Sequence, residues 1–312
     1  MGWGIAIVAA ALFVAWALLN LKTSRKDGTY LGRVHPYRRL MPYIMRTRTE
    51  SVVYFDHYVD ATKLLEYVAQ AKKKFGADMT HCVVAAGAVG LAEVPTMNQF
   101  VMGRRLYQRR GTHMAFSAKR KQLDKKAKLS VVKLEIPETE SFRDFCERVT
   151  AKIGVERSGD RTYADKEYDL FNMVPRPVLN AAVTLFRWLD YHNVLPHSFI
   201  ENDGMYCSIF VANLGSLGMG AGFHHLYEWG NCPAFCMVGK VEDRPVVVDG
   251  EIVVQPTLHI RWSYDERIDD GLGARFGMDA ISRVLANPFE ELGCLADDDS
   301  DRVLLGSHED GE

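Results

Sequence analysis

A chain of 312 residues, 47% hydrophobic and 25% charged, has the composition of an ordinary globular protein, which excludes wholesale disorder and allows one large domain or two small ones with appendages. A formal charge of −2 gives no electrostatic footprint for nucleic acid, and none is expected as a partner. Six scattered cysteines (Cys82, Cys146, Cys207, Cys232, Cys236, Cys294) lack paired metal-ligand spacing, so no metal site is expected; inside apolar runs they read as small core residues of a reduced compartment.

Residues 2–21 (GWGIAIVAAALFVAWALLNL) carry no charge. At about 1.5 Å per residue a helix of that length spans a hydrocarbon core of about 30 Å. A cleaved leader would show a basic start, a shorter apolar region and a small-residue cleavage site. Here the run ends in Leu-Leu-Asn-Leu and meets Lys22, Arg25 and Lys26, so residues 1–21 read as an uncleaved transmembrane anchor in contact with membrane lipid. Over residues 22–48 eight basic residues oppose one acidic residue, Asp27. That excess predicts a single-pass membrane protein whose body faces the cytoplasm, and it also attracts anionic lipid. Arg38 and Arg39 read equally well as parts of the folded body.

Between the ends the patterns alternate. Ser51 to Tyr58 is β-branched and aromatic, hence strand; Asp60 then caps a helix from Ala61 to Phe75, with Leu64, Leu65, Val68 and Ala71 at helical spacing. Thr80 opens a second helix, His81 to Glu93, apolar nearly all round and therefore buried, and Pro95 closes it. Short strands follow around Asn98 to Met102, Arg105 to Gln108 and His113 to Ala118, with another over Lys128 to Ile136. Ser141 caps an amphipathic helix that reaches Arg157. Asp169 to Leu195 is mostly helical and heavy in Leu, Val, Phe and Trp, interrupted by Pro175 and Pro177. The last third is strand-rich: Cys207 to Ala212, Ala234 to Val241, Arg244 to Val248 and Ile252 to Trp262. Asp249-Gly250 supplies a two-residue hairpin turn, and Gly271 to Ala286 is a final helix. Strands and helices interleave without βαβ regularity. The pattern predicts one α/β domain with a mixed sheet over residues 49–294, entered through a basic segment over 22–48. Residues 295–312 follow; from Asp297 onward seven acidic residues oppose one basic, which reads as a disordered acidic tail.

One constellation carries recognisable chemistry. Tyr264-Asp-Glu-Arg-Ile-Asp-Asp-Gly271 resembles the signature of the chloramphenicol acetyltransferase and dihydrolipoyl (2-oxoacid dehydrogenase) acyltransferase superfamily, in which a strand ends in His-x-x-x-Asp-Gly and a helix begins. Further stretches match in order. Tyr37-Arg-Arg-Leu-Met-Pro…Ser51 is similar to the family's entry segment, and Val59-Asp-Ala-Thr62 to its first strand–helix unit. Thr80…Glu93-Val-Pro-Thr-Met-Asn98 is similar to its second helix and the turn after it, and Phe210-Val-Ala-Asn-Leu-Gly-Ser-Leu-Gly218 to its Ser-Asn-Leu-Gly loop. Together these cover about residues 36 to 292.

The resemblance implies a chloramphenicol acetyltransferase-like mixed sheet flanked by helices, here preceded by one N-terminal transmembrane helix. It also implies a homotrimer whose substrate channel runs along the subunit boundary, and acyl transfer from a CoA or carrier thioester with no covalently bound cofactor. In the family a histidine is the base, a serine or threonine hydroxyl binds the oxyanion, and the motif aspartate shapes the loop. In this chain Glu266 stands at the base position and Ala212 at the hydroxyl position, while Asp270, Gly271, Asn213 and Gly215 remain. Ala212 offers no hydrogen bond to an oxyanion, an interaction typically worth about 2.7–4 kcal/mol. A carboxylate titrates near about 4.3 unless burial raises it. His224-His225, His57 and His259 are substitute bases to weigh, each also readable as an ordinary loop or sheet histidine, and His225 is the candidate carried forward. Ser208 and Ser216 are displaced from the hydroxyl position. The run from Lys119, Arg120 and Lys121 to Lys128 reads either as a solvated hairpin tip or as a dock for CoA phosphates or anionic lipid. The apolar stretch from Asp169 to Leu195 holds an acyl chain, or serves as core or trimer contact.

Two functions remain open. One is a membrane-anchored, trimeric acyltransferase using Glu266, with an acyl carrier or a membrane protein as partner. The other is a catalytically silent trimeric scaffold or binding module for membrane partners, which the paired loss of base and hydroxyl favours.

Overall fold

In the computed structural model, which describes residues 2–119, 129–157 and 173–306, two sheets organise the chain. The small one is antiparallel: β1 (Gly28–Tyr30), β4 (Arg105–Arg109) and β3 (Gln99–Met102) in that order. The large one has six strands, ordered β2 (Val52–Asp60), β9 (Glu251–Asp265), β8 (Ala234–Val248), β7 (Ile209–Asn213), β5 (Thr112–Lys119) and β6 (Leu129–Ile136). The central trio β8, β7 and β5 is parallel, and the outer pairings are antiparallel. Parallel neighbours need crossovers; helices supply one between β5 and β7, and the loop after β7 supplies the other. The sheet is mixed, as the alternation in the sequence predicts.

The helices are α1 (Gly2–Leu21), α2 (Pro36–Ile44), α3 (Thr62–Phe75), α4 (Met79–Glu93), α5 (Phe142–Arg157), α6 (Arg176–Tyr191), α7 (His197–Asn202) and α8 (Gly271–Ala286). α3, α4, α5 and α8 supply one core with one face of the large sheet, bringing Leu64, Tyr67, Val84, Phe145, Ile260, Trp262 and Ile281 together. Each such side chain contributes about 1.5–3 kcal/mol on burial. α4 begins two residues earlier than expected. Asp78, not Thr80, caps it, accepting from Thr80 N at 2.8 Å and His81 N at 3.1 Å while His81 Nδ1 takes the Asp78 amide. Gly90 lets α4 lie against α8, since a Cβ there would stand 2.6 Å from Ile281 Cγ1.

Three expectations need correction. Ala234–Val248 is one continuous strand with a bulge between Val238 and Val241, not two. Beyond that bulge the β8–β9 ribbon leaves the sheet as a two-stranded arm, so Pro245 can sit on an open edge, and Asp249 and Gly250 both take positive φ at its tip. The acidic tail is ordered through residue 306. Asp301 accepts the amides of Leu295 and Ala296, Leu305 is buried, and Lys74, Arg143 and Arg302 form ion pairs there, so basic partners hold what charge alone read as disorder. The basic entry segment is not uniformly free for lipid either: Arg25 and Arg48 are buried in the body.

α1 is the single straight helix among the described residues long and apolar enough to cross a membrane, and none of its spanning window is buried. It joins the body without a linker. Arg105 donates to the carbonyls of Asn20 and Lys22, and Asn193 Nδ2 donates to Lys22 O at 2.8 Å.

Candidate functional site

The end of β9 and the turn into α8 carry the motif. Asp265, buried at 1% exposure, is its floor, accepting from Ser51 Oγ at 2.9 Å and from Arg267 Nε and Nη2 at 2.8 and 2.6 Å. Arg267 Nη1 reaches Met45 O at 3.2 Å, which ties the turn to the segment after α2. Glu266 is held by its backbone: its amide donates to Ser51 O at 3.1 Å, and its carbonyl accepts from Arg38 Nη1 at 3.1 Å. Its carboxylate is exposed on the single chain, has no hydrogen-bond or ion-pair partner among the described residues, and lines none of three cavities of about 410, 420 and 480 Å³.

Asp270 is the N-cap of α8, accepting from Leu272 N and Gly273 N at 3.1 Å each; this satisfies two orphan amides and sets negative charge against the helix dipole. Arg38 Nη2 stands 3.8 Å from Asp270 and 3.9 Å from Asp269, which also accepts from Thr96 Oγ1. Asp270 therefore fixes the turn into α8 through its cap bonds. Gly271 is uncrowded, with no atom within 4 Å of a Cβ built there. The crowded glycine is Gly273, where a Cβ would fall 2.0 Å from Asp269 Oδ2 and displace that side chain, and sequence reasoning missed it.

At the other strand end, Ala212 is half-buried beside Met237. Asn213 donates Nδ2 to Thr80 Oγ1 at 3.0 Å and accepts Ser216 N on Oδ1 at 3.0 Å, so it joins the loop to the first turn of α4. Gly215 permits that loop to lie on β8, since a Cβ would meet Gly239 O at 2.4 Å. Neither nearby serine replaces the missing hydroxyl: Ser216 Oγ donates to Asn213 O at 2.8 Å, and buried Ser208 Oγ accepts from His113 N at 3.0 Å.

The histidines divide. His57 Nδ1 meets Ser282 Oγ at 3.0 Å, and His259 Nε2 meets Asp56 at 2.7 Å while stacking on Tyr58; both are satisfied on the sheet. His224 stacks on Phe235 and His225, and its carbonyl accepts from Ser263 Oγ. That puts His225, itself exposed, beside the end of β9 that carries Glu266, but no hydrogen bond joins the two among the described residues. Burial lowers the His224 pKa. Lys119 ends β5, while Arg120 and Lys121 lie outside the described residues.

The sequence also gave no sign of a cleft of about 410 Å³ between α2, the β3–β4 turn and α6, lined by Arg46, Arg48, Arg104, Arg187 and Trp229. Its lining comes from six separate stretches of chain, so no local motif marks it.

Residues 200–292 match the family described as 2-oxoacid dehydrogenases acyltransferase (catalytic domain). Over 88 residues the chain is 36% identical to the dihydrolipoyllysine-residue acetyltransferase component of the pyruvate dehydrogenase complex of Staphylococcus aureus; this is 28% of this chain, which spans about one fifth of the length of that relative. The fold is similar to a probable dihydrolipoamide acetyltransferase from Listeria monocytogenes (19% identity, 81% of this chain and 92% of that one, TM-score 0.54). It is similar also to the Azotobacter vinelandii dihydrolipoamide acetyltransferase, in whose catalytic mechanism a serine, a histidine and an asparagine were investigated (18% identity, 83% and 94%, TM-score 0.54). A chloramphenicol acetyltransferase matches at 12% identity over 83% and 99%, with TM-score 0.50.

Proposed function

We propose a membrane-anchored, trimeric thioester-binding protein of the chloramphenicol acetyltransferase and dihydrolipoyl acyltransferase superfamily, with Glu266 in place of the base; the match of residues 200–292 to the 2-oxoacid dehydrogenase acyltransferase catalytic domain and the similar fold support it. The supporting observation is that the motif's scaffold is intact. Asp270 caps its helix, Asn213 and Gly215 hold the facing loop, and Arg38 fixes the Glu266 carbonyl, so a thioester entering between neighbouring chains would meet a formed wall. Self-association is supported by the β8–β9 arm, whose Val247, Ile252 and Val254 are 71%, 76% and 75% exposed, and by relatives named as components of multienzyme complexes. The anchor is α1, and the domain order is anchor, basic entry segment and acyltransferase-like body facing the cytoplasm.

A second reading, a catalytically silent scaffold for membrane partners, is favoured by one observation: Ala212 provides no hydroxyl and Ser208 and Ser216 are engaged elsewhere. An assay of CoA release from acetyl-CoA, with the full chain in detergent, separates the two. Under the catalytic reading turnover is present, and Glu266→Gln lowers it by about 10²- to 10⁴-fold while light scattering still reports the same oligomer. No turnover by the wild-type chain, with thioester binding retained, establishes the silent scaffold; turnover unchanged in Glu266→Gln removes the base role.

A further inference from the structure

Glu266 does not line the arginine-rich cleft, although Arg267 of the same turn contributes to its wall, and the cleft carries a charge imbalance of its own. Of its acidic lining residues, Asp190 is committed to Arg25 at 2.8 Å and to Tyr206. Glu228 accepts the Thr49 amide and hydroxyl. Arg267 is neutralised by Asp265 at 2.6 Å. That leaves Arg46, Arg104 and Arg187 exposed at the mouth with no carboxylate partner among the described residues, and Arg48 at the back. Arg48 is 6% exposed, and among the described residues its acceptors are the carbonyls of Tyr227 and Val101. Four guanidiniums against two carboxylates, of which Asp190 is already paired with Arg25 and Glu228 is hydrogen-bonded to Thr49, leave an excess of positive charge that selects an anion, and their planar forks fit phosphate oxygens.

The position of the cleft tells which phosphate. Arg104 precedes Arg105, which holds the carbonyls of Asn20 and Lys22 at the end of α1, and Tyr191 lies two residues from Asn193, which holds Lys22 as well. The β3–β4 turn touches α6 directly, since a Cβ on Gly103 would stand 2.3 Å from Tyr191 O. The mouth therefore opens beside the point where the chain leaves its apolar helix. Around it α2 exposes Leu40, Tyr43 and Ile44 and α6 exposes Leu185 and Trp188, the mixture of aromatic, aliphatic and basic side chains found where protein meets headgroups.

We infer that this cleft binds the phosphate of an anionic phospholipid from the leaflet in which α1 ends, so that the body lies against the membrane surface. The inference rests on the reading of α1 as a membrane anchor. The test uses the full chain, delipidated in detergent and offered dioleoyl phosphatidylglycerol or dioleoyl phosphatidylcholine, with bound lipid counted by native mass spectrometry. The wild-type chain should retain phosphatidylglycerol in preference. The variant Arg46→Gln/Arg104→Gln/Arg187→Gln should retain it about 100-fold less, at roughly fivefold per arginine, with an unchanged unfolding midpoint. Equal retention of the two lipids, or a triple variant that binds like wild type, overturns the inference. Displacement of the lipid by added coenzyme A reassigns the cleft to a nucleotide phosphate and overturns it too, as does a changed oligomeric state with lipid binding intact, which makes the face a contact between copies. Resistance to alkaline carbonate extraction reports on the anchor separately: a chain released by carbonate removes the anchor reading whatever the cleft binds in detergent.

Discussion

Replacing Arg25 by Met tests how the root of α1 is fixed to the body. Arg25 is 8% exposed and makes five hydrogen bonds: two to the Asp27 carboxylate (2.9 and 3.0 Å), one to the Asp190 carboxylate (2.8 Å), one to Asp190 O and one to Asn193 Oδ1. Met keeps the aliphatic stem and deletes the charge, leaving two buried carboxylates. Asp27 would retain Asn231 Nδ2 at 2.8 Å, and Asp190 would retain Tyr206 Oη at 2.8 Å, but neither would keep its cation. Removing one partner of a buried ion pair costs about 3–5 kcal/mol, a large part of a total of about 5–15 kcal/mol. At about 2–4 °C per kcal/mol the unfolding midpoint falls by about 6–20 °C. The triple variant Arg25→Met/Asp27→Asn/Asp190→Asn removes these three charges while keeping acceptors for Asn231 and Tyr206; buried Arg109 loses the nearby Asp27 charge, so the variant should recover part of the loss. Differential scanning calorimetry on the full chain in detergent reads both. A single variant within about 1 kcal/mol of wild type, or a triple variant no more stable than the single one, refutes the argument that the unpaired carboxylates are what is costly.

Other outcomes are equally checkable. Asn213→Ala removes the bonds to Thr80 and Ser216 and should lower stability by about 1–3 kcal/mol in a denaturant titration. Gly215→Ala drives a Cβ into Gly239 O at 2.4 Å, a backbone clash that should cost about 1–3 kcal/mol and disorder the loop before β8, read as faster amide exchange over residues 214–222. His113 titrates at about 4, lowered from its ordinary value first by burial and then by the charges of Arg109 and Lys133. A folded-state pKa below the unfolded one means the unfolded chain binds more protons between about pH 4 and 6.5. Wild-type stability should therefore rise by up to about 3 kcal/mol across that window, and His113→Phe should flatten the rise; equal slopes in the two proteins would exclude the effect.

Sequence periodicity and caps gave the elements because these are local. The apolar circumference of α4 required burial, the Asp249-Gly250 pair required a hairpin, and the bounds of Gly271–Ala286 follow from an Asp cap and the spacing of its apolar residues. The resemblance at residues 264–271 was legible for the same reason, since the turn from β9 into α8 is contiguous. Two elements were misjudged where a distant partner decides. The acidic tail looked solvated until Lys74 and Arg143 were placed beside it. The crowding at Gly273 comes from the side chain of Asp269, and spacing does not report that.

By itself the sequence determined an apolar span of helix length, an interleaved α/β body, and a motif with a carboxylate and a methyl group at Glu266 and Ala212. These are properties of neighbouring residues, and the chain cannot hide them. Only the tertiary structure decided which of the basic residues are free. Arg25 is sequestered by Asp190, 165 positions away, and Arg48 by the carbonyls of Val101 and Tyr227, whereas Arg46, Arg104 and Arg187 are exposed around one cleft. A charge acts through its distance to other charges and its access to water, and both are fixed by folding, not by order along the chain.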